Sequence, residues 1–199
     1  MTFSLRSRGG FTLIELLVVI GIMAVIGGVV GVGLIDGGQG AMLATARGLM
    51  QTQITAARSQ AALRNESTAV VVVADPTDLD RYLRYIAVAV ADDSGVLILT
   101  RDGTNLPGDI RVRPPSDGST LLASSSSVSL EPGGAQVSCY QISFKANGAL
   151  ALTGGGELWL AVTEREAEGV FFVEDAPRVG IGINRYGAMA ALESGETAK

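Results

Sequence analysis

A single carboxylate, Glu15, lies inside the most apolar stretch of the chain. Residues 11–35 read FTLIELLVVIGIMAVIGGVVGVGLI, and apart from Thr12 and Glu15 every one is apolar or Gly. A charge one turn into a membrane helix costs a few kcal/mol, about 2.5–3.5 on insertion scales, and such a residue usually has a partner. The small pair Gly9-Gly10 stands just before the run. A cut after Gly10 creates an α-amine on Phe11, and Glu15, four residues on, shares its helix face. The carboxylate can then pair with its own amine or with that of a neighbouring subunit. An unpaired carboxylate is penalised in a low-dielectric bundle. Pairing across subunits therefore favours insertion at a fixed stagger.

The flanking residues fit that arrangement. Residues 1–10, MTFSLRSRGG, are short, polar and basic through Arg6 and Arg8. Leu16 to Ile35 gives 20 residues without a charge, and about 20 are needed to cross the hydrocarbon core. An ordinary secretory signal is cut after its apolar region. Here the small pair precedes it, so cutting leaves the apolar segment on the mature chain. The arginines keep the leader cytoplasmic and direct the remainder outward. The spacing Gly27-x-x-x-Gly31 permits close helix approach, although small residues recur throughout this run.

Residues 10–20, GFTLIELLVVI, resemble the processing motif of type IV pilins and type II secretion pseudopilins. The resemblance implies that a prepilin peptidase cuts after Gly10 and methylates Phe11 as the new N-terminus. It also implies that Glu15 is the assembly carboxylate. The expected partners are other pilin or pseudopilin subunits, the prepilin peptidase, an inner-membrane assembly platform and membrane lipid. One feature departs from many filament-forming pilins: no proline interrupts the helix, the first being Pro76.

Composition argues against catalysis. The chain has no His and one Cys, Cys139. Ser/His and Cys/His pairs are therefore impossible, and so is a Cys-based metal site. No catalytic residue, metal ligand or cofactor is assigned. Cys139 lies in a strand-like run and is expected to be a buried small side chain. A net charge of −5 disfavours nucleic acid as a partner. Gly154-Gly155-Gly156 reads as a turn, and Glu164, Glu166 and Glu168 as a solvated charge run. The Asp92-Asp93 pair lacks the spacing of a calcium loop.

The expected fold class is α+β, a long N-terminal helix packed on a mostly antiparallel β-sheet domain. Four segments follow: a leader at 1–10, a transmembrane segment at 11–35, a periplasmic continuation of the helix at 36–65 and a β-rich periplasmic domain at 66–199. Gly37-Gly38 marks a break or hinge. If it does not break the helix, residues 11–64 make a rod of about 80 Å. Leu43, Ala46, Met50, Ile54, Ala57 and Ala61 form a stripe at spacings of three and four, the side that packs on the sheet. Asn65 is the stop signal. Strands are expected at 69–74, 82–91, 96–100, 136–146, 148–153, 156–163, 169–174, 178–185 and 187–192. Residues 92–95 are expected to form a hairpin turn, residues 114–127 an exposed loop, and Gly148 and Gly187 tight turns.

Three later segments narrow the resemblance. Residues 57–65 (ARSQAALRN), 142–148 (ISFKANG) and 178–187 (RVGIGINRYG) look like the helix end, the turn and the final hairpin of the minor pseudopilin H, FimT-like group. A Trp usual after the helix in that group is not evident, since Trp159 lies much later. The implied function is a structural subunit, a minor pseudopilin of a type II secretion system. A type IV pilus subunit is the alternative, and a membrane-anchored periplasmic binding domain a more distant one.

Overall fold

The computed structural model describes residues 13–92, 97–100, 103–130, 136–166 and 169–193, with the side chains of 15, 24–37 and 123–125 excepted. The chain divides into two compact units, Met1–Gly38 and Gln39–Lys199. Helix α1 (Leu13–Arg64) is assigned without interruption across Gly37 and Gly38. It ends where Asn65 adopts φ 54, the left-handed conformation that an Asn tolerates after a helix terminus.

In the second unit the six stripe residues from Leu43 to Ala61 are all buried. They share one core with Val70, Val72, Ile86, Val88, Ile142 and Phe144, and with Leu158, Leu160 and Ile181. Fully burying an aliphatic side chain contributes about 1.5–3 kcal/mol. Helix–sheet packing, not helix propensity, therefore fixes this half of α1.

Eleven strands follow among the described residues: β1 (Thr68–Val73), β2 (Tyr85–Ala91), β3 (Leu97–Leu99), β4 (Thr104–Asn105), β5 (Ile110–Val112), β6 (Ala123–Ser129), β7 (Gln136–Phe144), β8 (Gly156–Glu166), β9 (Gly169–Phe172), β10 (Arg178–Ile183) and β11 (Met189–Glu193). One sheet runs β1-β7-β6-β3-β2-β4, with β1 also paired to β2. Five strands thus close into a ring, β4 lying outside it. Only the β3–β6 pairing is parallel within that sheet. The other sheet runs β11-β10-β8-β5, with β9 paired to β8. Inside the ring sits a second, smaller core: Ala69, Val71, Val73, Ala87, Ala89, Val128 and Cys139. Strand β1 serves both cores by alternation, even residues to the helix and odd residues to the ring.

Several expectations are corrected. The 114–127 stretch is not an exposed loop. It holds a 3-10 turn at Pro115–Asp117, buried Ser119, Leu121 and Leu122, and much of β6. The serine run forms a strand because it pairs with β7 and helps to close the ring, a tertiary demand that overrides weak β propensity. The strand expected at 148–153 shrinks to one bridge, Phe144 to Leu150. Positive φ at Gly148, Gly154 and Gly155 turns the backbone instead. Strand β2 starts three residues later than expected because Leu83 adopts φ 54 in a turn before it. Strands β4 and β5 had no clear signal. The hairpin pairing of β2 with β3 is present, while residues 93–95 of the turn expected at 92–95 lie outside the described residues.

Candidate assembly site

The residues singled out by type and spacing fall at the start of α1. Gly10 and Phe11 lie outside the described residues. Glu15 is in α1, its side chain outside the described ones. Around it, Leu13, Ile14, Leu16, Leu17, Val18 and Ile20 are all exposed, Leu13 at 80% and Ile14 at 71%. A contiguous apolar surface of this kind needs a covering, either lipid or other helices. Among the described residues no helix is long and apolar enough to cross a membrane. The second half of the expected span falls on side chains outside the described ones.

From residue 39 onward α1 has two faces. The inward face is the buried stripe. The outward face carries Ala41, Ala44, Gly48, Thr52, Thr55 and Ser59, all exposed and again spaced by three and four. The hydroxyls of Thr52 and Thr55 donate to the carbonyls of Gly48 and Gln51, each at 2.8 Å, and that of Thr45 donates to Ala41 at 2.9 Å. These threonines therefore present methyl groups outward with their donors already satisfied. Nothing lies within 4 Å of the position a Cβ would take at Gly48. No acidic residue occurs on the helix from Gly37 to Arg64.

The three segments 57–65, 142–148 and 178–187 meet at Arg58. Its Nη1 donates to the Gly187 carbonyl at 2.9 Å. A Cβ at Gly187 would lie 3.0 Å from Arg58 Nε, and one at Gly148 would lie 3.3 Å from Arg58 Cγ. Both glycines have positive φ, 81 and 76. The final hairpin and the turn after β7 are thus pressed onto one helical side chain. Gly187→Ala is expected to lower stability by about 1–3 kcal/mol through backbone strain and to displace Arg58. Thermal melting measures the fall. Gly154→Ala separates the two causes, because its φ is 111 and the space around it is open.

Sequence reasoning missed one buried charge. Arg111 is 3% exposed. Its guanidinium donates to the carbonyls of Tyr82 and Leu79, the second at 2.8 Å. Burial and the nearby Arg84 lower its pKa from the ordinary value. It ties β5 to the turn before β2, and an isolated Arg in a polar-looking segment gives no hint of this. Cys139 is buried in the ring core as a free thiol, and burial pushes its pKa up to about 11. It is therefore a packing residue and a poor nucleophile near neutrality. Glu164 and Glu166 are exposed, whereas Glu168 lies outside the described residues. Among the described residues no cluster of His, Cys, Asp or Glu is arranged to hold a metal.

Residues 5–31 match the family described as "Prokaryotic N-terminal methylation motif", an interval that includes Gly10, Phe11 and Glu15. A comparison with curated proteins found no match. Among solved structures, the chain is similar to the minor pseudopilin EpsH from the type 2 secretion system of Vibrio cholerae. Identity is 11% and the TM-score 0.44, over 76% of this chain and 96% of that one.

Proposed function

We propose that this chain is a type IV pilin-like structural subunit. It is cut after Gly10, methylated on Phe11 and assembled through Glu15 into a filament anchored in the inner membrane. The observation that carries the reading is the methylation motif over residues 5–31, with Glu15 placed four residues beyond Phe11. Two features of the helix support it. Its start exposes an apolar surface that a bilayer or neighbouring helices would cover. Its outward face beyond residue 39 is small and free of acidic charge, which lets helices approach closely along a filament axis.

Within that class the reading is a minor pseudopilin of a type II secretion system, of the H-like kind. The convergence of its three motif segments on Arg58 supports this assignment. Partners are other pseudopilins, the prepilin peptidase and the assembly platform. Co-purification with other pseudopilins is the expected result, and recovery as a long homopolymer overturns the finer assignment in favour of a pilus subunit.

Processing is tested directly at the N-terminus. Mass spectrometry of the assembled protein is expected to find methylated Phe11 as its first residue. Loss of Arg6 and Arg8 leaves 13 basic against 20 acidic residues, so formal charge moves from −5 to −7. An intact Met1, or any other start, counts against the proposal.

A further inference from the structure

The sheet β11-β10-β8-β5 has two edges, and they are finished differently. Main-chain hydrogen bonds alternate in direction along an antiparallel strand, so a few of them orient the whole sheet. Along β8, the Trp159 carbonyl accepts from Arg113 N at 2.8 Å and the Glu157 carbonyl from Leu121 N at 3.0 Å. Glu157 and Trp159 therefore point toward β5, and Leu158 and Leu160 toward β10. Their partners Ile181 and Val179 point back at β8, which leaves Gly180 and Gly182 facing β11. Leu192 and Ala190, opposite those glycines, complete the ladder. Met189 and Ala191 therefore aim their N–H and C=O groups away from the sheet. At the other edge, the outward amides of Ile110 and Val112 donate to the Pro107 and Leu83 carbonyls at 3.2 and 2.8 Å. Among the described residues no such bond engages the outward groups of Met189 and Ala191.

The β11 edge also lacks the usual guards. Its sequence, MAALE, holds no Pro, Lys or Arg, and its register with β10 runs without a bulge. Met189, Ala190 and Ala191 are exposed. An edge of this kind is a template for another strand. Symmetric pairing with a second copy does not fit. A two-fold pairing of β11 with β11 reverses every direction in the plane of the sheet, including that of α1 packed on it. The two chains would then lead toward residue 39 from opposite sides, and both apolar segments could not enter one bilayer. A copy has little else to offer, since β5 is occupied, five strands of the first sheet form a ring, and β4 and β9 are two and four residues long.

We propose that the β11 edge docks an extended segment of another protein, which adds to the sheet as a strand. The outward N–H and C=O groups of Met189 and Ala191 supply the main-chain bonds, the mode of recognition known as strand addition. Small apolar side chains on the added strand would lie beside Met189, Ala190 and Ala191. The chain carries a net charge of −5 and Glu193 ends the strand, so a segment with basic ends is favoured. The exclusion of a second copy rests on the membrane reading, whereas the open edge belongs to the sheet domain alone.

The test follows amide hydrogen exchange in the full chain in detergent. In the free protein the Met189 and Ala191 amides should exchange about tenfold or more faster than those of Ala190 and Leu192. The probe is an acetylated, amidated peptide, KTVTVTK, rich in strand-forming residues. It should protect Met189 and Ala191 saturably, and the same peptide methylated on every backbone nitrogen should not. Ala191→Pro removes only an outward donor, so it should weaken peptide binding about tenfold or more with little change in melting temperature. Ala190→Pro removes a ladder donor and should lower that temperature clearly. Met189 and Ala191 amides already protected in the free protein, equal binding of the methylated peptide, or binding unchanged in Ala191→Pro overturns the site. A dimer in detergent that Ala191→Pro dissociates assigns the edge to a second copy and overturns the proposed partner.

Discussion

Glu15→Ala is expected to remove the subunit from filaments while leaving it in the membrane. The substitution makes the apolar segment more hydrophobic, so insertion is retained or improved. What it removes is the one acidic group that can meet the Phe11 amine within the bundle. Removing one partner of a buried pair costs about 3–5 kcal/mol, because the other charge is left uncompensated. At about 1.4 kcal/mol per tenfold, incorporation falls roughly a hundredfold or more. Glu15→Gln keeps the shape and loses the charge, so it should fail nearly as badly. Glu15→Asp keeps the charge on a shorter arm and should recover part of the activity. Comparing subunit in the sheared filament fraction with subunit in membranes measures the effect. Normal incorporation of Glu15→Ala would sink the assembly role.

A second pair of substitutions separates folding from assembly on the same stretch of helix. Ile54 is fully buried, whereas Thr52 two residues earlier is exposed. Ile54→Asp places a carboxylate among Val, Leu and Ile side chains with no partner. The penalty is several kcal/mol, comparable with the whole stability of an ordinary domain, so no cooperative thermal transition should remain. Thr52→Asp leaves the melting temperature within a degree or two. It also puts a charge on the small outward face, so filament incorporation should fall even though the fold persists. Normal assembly by Thr52→Asp would show that this face stays clear of neighbouring subunits.

The sequence was most legible where one periodicity had one cause. The stripe from Leu43 to Ala61 is regular because a single sheet surface selects every third or fourth side chain, and all six residues are buried. Asn65, Gly148 and Gly187 were readable because few residue types accept a left-handed backbone. The methylation motif was readable because a charge in an apolar run has few explanations. Ser124 to Ser127 misled because their strand is stabilised by pairing with β7 and β3 and not by the β propensity of serine. Arg111 was invisible because its burial depends on carbonyls about thirty residues away. The closure of β1 onto both β2 and β7 left no local trace either. The convergence of segments at Arg58 needed coordinates, although each segment was noticeable alone.

Strand β1 contains Val70-Val71-Val72-Val73 in succession, and both of its faces are buried. A one-residue slip would exchange valine for valine at three of its six positions. Hydrophobicity alone therefore barely distinguishes the correct frame from its neighbours. The frame must be written at the ends. Thr68 supplies one mark, its hydroxyl held by the Ala57 carbonyl of α1 at 2.8 Å and its backbone opposite Phe144. In a slipped frame Ala69 would face the helix without a hydroxyl, and the Ala57 carbonyl would lose the donor that Thr68 adds to its helix bond. A chain whose middle is uninformative is aligned like a zip, by the first tooth engaged.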